Sequence, residues 1–188
     1  MYKLISTVIL SLALSNAANA GNDLKPYAKK SKAVVKEFMT QLKGELKGAM
    51  KAGGPVNAIN VCNEKAPAIA AALSKKYGWN IARTSLKTRN SSNAPDTWET
   101  KVLNKFEDRK AGGEDVKPMA YFEAVESNGK KSFRFMKAIP TGEVCLKCHG
   151  ENIASPIKAK LKELYPNDKA TGYKLGDVRG AFTLTQPM

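Results

Sequence analysis

Apolar residues in the first part of the chain recur with helical spacing. Between Lys25 and Lys51 they lie three and four positions apart, which predicts an amphipathic helix with a lysine-rich outer face. The Ala-Gly-Gly-Pro sequence at 52–55 is expected to end this helix. Residues 56–78 predict a second helix, which Pro67 kinks or restarts and Gly78 ends.

Short strands are predicted in the rest of the chain. Residues 119–126 and 131–139 flank Ser-Asn-Gly at 127–129, a strong hairpin signal. The other predicted elements are, in chain order, a strand that runs into a polar loop (79–96), a helix (95–113), a short helix (155–166) and a final strand (176–187). This order favours an α+β fold, in which N-terminal helices pack on a small antiparallel sheet.

The first twenty residues have the pattern of a secretory signal peptide. One cation, Lys3, precedes an apolar run from Leu4 to Leu14, and small residues follow up to Ala20. The apolar run is too short to span a bilayer, and no later stretch is apolar enough for a transmembrane anchor. We therefore expect a signal peptide at 1–20, a single domain at 21–188 and a periplasmic location.

The chain is strongly basic, with a formal net charge of +14 at pH 7. This charge favours anionic partners, such as acidic proteins, phospholipid head groups or polyanions. Nucleic acid is a weaker candidate, because no binding motif is visible and the chain is expected to leave the cytoplasm. The lysines are spread along helices, so a solvated basic surface is the simplest interpretation. No pattern indicates an oligomeric state.

Cys145, Cys148 and His149 form a Cys-x-x-Cys-His sequence, the spacing used for covalent attachment of haem c. Two thiols three residues apart can reach both vinyl groups of one porphyrin, and the next residue presents its imidazole to the iron. A disulfide or redox pair is the alternative interpretation in an oxidising compartment. A zinc site would need further ligands, and Cys62 is the only other cysteine.

The second axial ligand is left open by these residues. His149 is the only histidine, so a monomer cannot supply two imidazoles to the iron. Cys62 shares an apolar helical face, where a free cysteine is usually an inert core residue, although an unpaired thiol is unusual in an exported protein. The other candidates are lysine, water, no ligand at all, or one of the methionines Met39, Met50, Met119, Met136 and Met188.

Four stretches resemble one family of small exported single-haem c-type proteins with a PAS-like fold, catalogued as a domain of unknown function. They are AINVCNEKAPAIA (58–70), RTSLKTRNSSNAPDTWE (83–99), GEVCLKCHG (142–150) and TGYKLGDVRGAFTL (171–184). The resemblance implies that His149 and Cys62 hold the iron. This chain has Ser91 where the family has a proline. Redox sensing and electron transfer have both been proposed for the family.

Three cations follow one another in the polar loop, namely Arg83, Lys87 and Arg89. Guanidinium groups pair well with carboxylates, so Arg83 and Arg89 are candidates for holding the haem propionates. A solvated basic loop is the equally simple alternative.

A cysteinate on the iron would stabilise the ferric state and lower the reduction potential. Reduction would weaken the iron–sulfur bond and could open a position for CO or NO. We therefore expect a redox or gas-sensing or electron-transfer haem protein; the alternative is a simple electron carrier that docks acidic redox proteins. No enzymatic activity is expected, since there is no second histidine to act as a distal acid or base.

Overall fold

The computed structural model describes residues 24–188. The predicted signal peptide at 1–20 lies outside the described residues. The elements are α1 (Lys25–Tyr77), β1 (Asn80–Thr84), a short 3-10 helix (Ser91–Asn93), α2 (Thr97–Ala111), β2 (Ala120–Ser127), β3 (Lys130–Pro140), α3 (Glu143–His149), α4 (Ser155–Leu164) and β4 (Val178–Pro187).

The four strands form one antiparallel sheet in the order β1-β4-β3-β2. The β2–β3 hairpin turns at Asn128 and Gly129, both with positive φ, as a two-residue hairpin loop requires. The final strand β4 lies in the middle of the sheet, between β1 and β3. The predicted α+β class with a small antiparallel sheet is confirmed.

Helix α1 consists of two helical segments that fold back on each other. The backbone leaves helical geometry only at Gly53 and Gly54, and Gly54 has a φ of 68°. Glu37 in the first segment accepts hydrogen bonds from Lys76 (2.8 Å) and Tyr77 (2.6 Å) at the end of the second. The predicted break after the first helix is therefore confirmed, because glycine adopts this backbone conformation at little cost.

The predicted restart of the helix at Pro67 is wrong, and the alternative, a kink at this residue, stays a prediction. Pro67 lies inside the second segment of α1, and the backbone there stays helical. Pro67 has no backbone N–H, so the carbonyl of Asn63 has no helical partner. Pro67 is exposed, so water can hydrate this carbonyl. Ala66, beside it, is fully buried, and this packing holds the helix continuous. Gly78, with a φ of 69°, ends the helix as predicted.

The sheet is covered on both faces. Helix α1 packs on one face, with the core residues Val34, Val35, Phe38, Leu73, Ile81, Phe133, Phe135, Phe182 and Leu184. Helix α2 packs on the other, with Val102, Leu103, Phe106, Met119, Met136, Ala138, Val178 and Ala181. A third cluster joins the second segment of α1 to α4 through Ile59, Ile153, Ile157, Leu161 and Tyr165. This third cluster lies beside α3 and positions the candidate site.

Strand β4 begins with a bulge. The pairing of β3 with β4 shifts register between Ile139 and Pro140, and Val178 therefore packs in the same cluster as Ala181. Gly180 has a φ of 148°, and a Cβ there would overlap the carbonyl oxygen of Thr84. The close approach of β4 to β1 therefore requires glycine at this position, and the bulge changes the direction in which Arg179 projects.

Within residues 24–188, no helix has the length and the apolar character needed to cross a membrane.

Candidate functional site

Helix α3 carries the Cys-x-x-Cys-His sequence and is held by backbone hydrogen bonds to the loop before β4. Tyr173 N–H donates to the carbonyl of His149 at 2.9 Å, and Gly172 N–H donates to Gly150 at 3.0 Å. A Cβ at Gly150 would lie 2.6 Å from the carbonyl oxygen of Leu146, so only glycine fits at this exit from the helix. These contacts position the imidazole relative to the rest of the domain.

One ring nitrogen of His149 donates a hydrogen bond to the protein, and the other keeps a lone pair that can coordinate a metal. Its Nδ1 lies 2.7 Å from the carbonyl oxygen of Ala170, which accepts only, so the proton is on Nδ1 and the lone pair on Nε2. Burial lowers the pKa of His149 well below its usual value, and the positive charges of Arg179 and Arg89 lower it further. The imidazole is therefore neutral at pH 7, as a metal ligand must be.

Cys145 and Cys148 are both half-buried, and no disulfide joins them. They lie one turn apart on α3, so both thiols are on the same side of the helix. Cys148 packs against the α1–α4 cluster that contains Ile59. Burial raises the pKa of the Cys148 thiol.

Cys62 lies one turn after Ile59 on α1, which brings its thiol to the same region. Burial raises the pKa of Cys62, and the positive charges of Arg83, Arg89 and Arg179 act in the opposite direction. The thiols of Cys145 and Cys148 lie within electrostatic range of Cys62. Cys62 thus lies one turn from Ile59, which belongs to the cluster that Cys148 packs against, although more than eighty residues separate Cys62 from Cys145 in sequence. Among the described residues, no three His, Cys, Asp or Glu side chains are close enough together to hold a metal ion by themselves.

Two of the methionine candidates are packed elsewhere. Met119 and Met136 are completely buried in the cluster on the α2 face of the sheet. Their side chains fill the core on the face opposite to α1, which carries Cys62. Among the sulfur groups of the described residues, Cys62 is therefore better placed than these two methionines to approach His149.

Three arginines surround this group, and we call Arg83, Arg89 and Arg179 the arginine cluster. Each of them contributes positive charge at Cys62 and at His149. Asp168 pairs with Arg89, and no described carboxylate lies within 4.0 Å of the guanidinium of either other arginine. Burial lowers the pKa of Arg83 and of Arg179. A half-buried cluster with one carboxylate for three guanidinium groups is suited to binding an anion.

Arg89 differs from the other two because the protein uses nearly all of its donors. Its guanidinium bonds to Asp168 at 2.9 Å, to the carbonyl of Cys148 at 2.6 Å and to that of Ala170 at 3.2 Å. One nitrogen also lies 3.4 Å from Nε2 of His149. Arg89 therefore links α3 to the loop whose Ala170 carbonyl accepts the hydrogen bond from the imidazole.

The family model described as Tll0287-like matches residues 14–187. The chain belongs to the Tll0287-like family. A solved structure, the crystal structure of the cyanobacterial heme-protein Tll0287, superposes with a TM-score of 0.67 and 21% sequence identity. The match covers 87% of this chain and 96% of that chain, and at this identity it shows a shared fold. Among curated proteins, none matches significantly.

Sequence reasoning missed several members of the site in this Tll0287-like protein. Arg179 lies at the bulge in β4, which the sequence analysis did not predict. Asp168 and Ala170 lie in the loop after α4, where Asp168 accepts a hydrogen bond from Arg89 and Ala170 accepts one from His149. The Tyr173 ring lies edge-on to His149, with the ring centroids 6.3 Å apart. The proximity of Arg179 to Gly180 in the sequence was the one signal available, since glycine within a strand often marks a bulge.

Replacing Arg89 by alanine should lower the free energy of unfolding of the Tll0287-like domain by about 3 kcal/mol, because it leaves Asp168 buried without its partner. The two side chains are only 9% and 11% exposed. Urea denaturation followed by circular dichroism measures the change. Lys87→Ala, an exposed change on the same loop, should alter it by less than about 0.5 kcal/mol. Equal losses in both variants would contradict this role for Arg89.

Proposed function

We propose that this protein binds one haem c, attached covalently through Cys145 and Cys148, with His149 as an iron ligand. The observation that carries this proposal is the hydrogen bond from His149 Nδ1 to Ala170. It leaves a neutral imidazole with its Nε2 lone pair available, directly after two unpaired thiols. The shared fold with a solved heme-protein supports the same assignment.

The residues present fit this group. A carbonyl acceptor on the second ring nitrogen is the usual way in which proteins fix the tautomer and orientation of a metal-ligating histidine. Iron at Nε2 would replace the 3.4 Å contact with Arg89, which keeps its bonds to Asp168 and to two carbonyls. Haem would supply one-electron redox chemistry at this place.

Cys62 is the second iron ligand in this proposal. Burial raises the pKa of its thiol, and the three positive charges that it shares with His149 partly oppose this effect and would stabilise a metal-bound thiolate. A thiolate at this position would also offset the repulsion among the arginines. The fully buried positions of Met119 and Met136 on the other face of the sheet favour Cys62 over them.

Arg83 and Arg179 are the better candidates for the haem propionates. Neither has a described carboxylate partner, and Nε of Arg179 is buried without a hydrogen-bond acceptor. Arg89 is included in the proposed site as a residue that positions His149, because its donors are already engaged. This proposal keeps Arg83 as a candidate for holding the propionates and puts Arg179 in the place of Arg89.

The domain is proposed to be PAS-like, exported and single, spanning 21–188 after removal of a signal peptide at 1–20. The sheet with helices on both faces is consistent with such a fold. We propose no enzymatic activity. The proposed role is redox or gas sensing or electron transfer, with a potential kept low by the cysteinate.

A simple electron carrier is the second candidate. Val144 on α3 and Leu175 in the adjoining loop are 48% and 62% exposed, and the exposed Lys147 and Lys174 lie beside them in sequence. Exposed apolar residues with neighbouring lysines near the proposed haem attachment would suit docking to an acidic redox protein.

One preparation of the haem-loaded protein separates the two roles. For a sensor, CO should bind in the ferrous state and not in the ferric state, and visible spectra would show this. For a carrier, the ferrous protein should not bind CO, and electron exchange with an acidic redox protein should slow strongly as salt is raised. Absence of haem after expression with a cytochrome c maturation system would refute the haem assignment.

A further inference from the structure

The first segment of α1 carries a continuous row of lysines on its solvent side. We call this row the lysine stripe: Lys29, Lys32, Lys36, Lys43, Lys47 and Lys51, all exposed. At 3.6 residues per turn they fall within about 100° of the helix circumference, and they extend over about 33 Å. Lysines that are scattered in the sequence thus form one linear surface.

Within residues 24–188, no carboxylate neutralises the stripe. The acidic residues of the segment 25–52 are Glu37 and Glu45, and Glu37 pairs with Lys76 and Tyr77 from the second segment of α1. Among the described residues, no carboxylate oxygen lies within 4.0 Å of a stripe ammonium. The fold adds further positive charge, since Lys137 on β3 lies within electrostatic range of Lys32.

The opposite side of the same segment is already occupied. Val34, Val35 and Phe38 are buried against the sheet, so the helix cannot insert an apolar face into another surface. Binding through the stripe would therefore be purely electrostatic. It would be reversible and weakened by salt, because exposed charges are screened beyond about 8 Å at physiological ionic strength.

We propose that the lysine stripe adsorbs the protein to an anionic phospholipid surface. A flat bilayer offers phosphate groups along the whole length of the stripe at once. A globular acidic protein would need a matching column of carboxylates. Lysine is also depleted in protein–protein interfaces, and the stripe contains none of the aromatic or arginine anchors that dominate them. The inference does not depend on the haem assignment.

Vesicle sedimentation of the full folded chain tests this proposal. Wild type should bind phosphatidylcholine vesicles that contain about a third phosphatidylglycerol, and should not bind pure phosphatidylcholine. Removing three stripe charges in Lys32→Gln/Lys36→Gln/Lys43→Gln should weaken partitioning about a hundredfold, at about fivefold per lysine. The matching Lys→Arg triple variant should bind like wild type, because it keeps the charge.

The control variant Lys101→Gln/Lys158→Gln/Lys162→Gln removes the same charge from exposed positions on α2 and α4. It should retain most of the binding. Equal losses in the two Gln variants would overturn the proposal, because net charge alone would then explain adsorption. Failure of wild type to bind anionic vesicles would also overturn it. Polyglutamate binding that is lost only in the stripe variant would then identify an acidic polypeptide as the partner.

Discussion

Replacing Cys145 and Cys148 together by serine should abolish covalent haem attachment. The two thiols lie one turn apart on α3 and are followed by His149, the proposed iron ligand, so both would be available to the vinyl groups of one porphyrin. Serine is close to cysteine in size but has no sulfur, so it cannot form the thioether. Haem staining of a denaturing gel, with the intact mass of the chain, measures the loss.

The matched control for attachment is Cys62→Ser. It removes the third cysteine but leaves the α3 pair, so the haem should remain covalently bound. A single replacement, Cys145→Ser or Cys148→Ser, should leave one thioether and shift the pyridine haemochrome band. Full haem staining in the double variant would refute attachment through these residues.

Replacing Cys62 by methionine should raise the reduction potential by on the order of several hundred millivolts. Axial ligands set haem potentials over a range of about 0.8 V, and a neutral thioether stabilises ferric iron less than a thiolate does. The arginine cluster enlarges the effect, since its positive charge would no longer be offset by a sulfur anion. Potentiometric titration followed by visible spectroscopy measures the midpoint.

Val61→Met is the control for this substitution. It introduces the same side chain one position earlier on α1, where the residue lines a surface cavity with Gly44 and Gly48. Its midpoint should equal that of wild type. An unchanged midpoint in Cys62→Met would mean that the thiol does not bind the iron.

Local sequence signals predicted most of the secondary structure because their causes are local. Helical spacing, the Gly-Gly break and the Gly78 stop are read from neighbouring residues, and the structure has all three. The turn residues Asn128 and Gly129 similarly predicted the hairpin. The restart predicted at Pro67 does not occur, because the cost of proline inside a helix depends on exposure and on the packing of Ala66, which are properties of the folded chain.

The candidate site also has one part that local sequence predicted and another part that only the folded chain decided. The sequence by itself determined most of the helical and strand segments, although not helix α3, and the spacing of Cys145, Cys148 and His149, since these follow from local periodicity and a contiguous motif. Only the tertiary structure decided that Cys62 lies one turn from the cluster that contacts Cys148, and that the charge of Arg179 acts together with those of Arg83 and Arg89. It also decided which nitrogen of His149 carries the proton. These facts depend on a strand bulge, a loop carbonyl and the packing of α1 on α4, which arise between segments far apart in the chain.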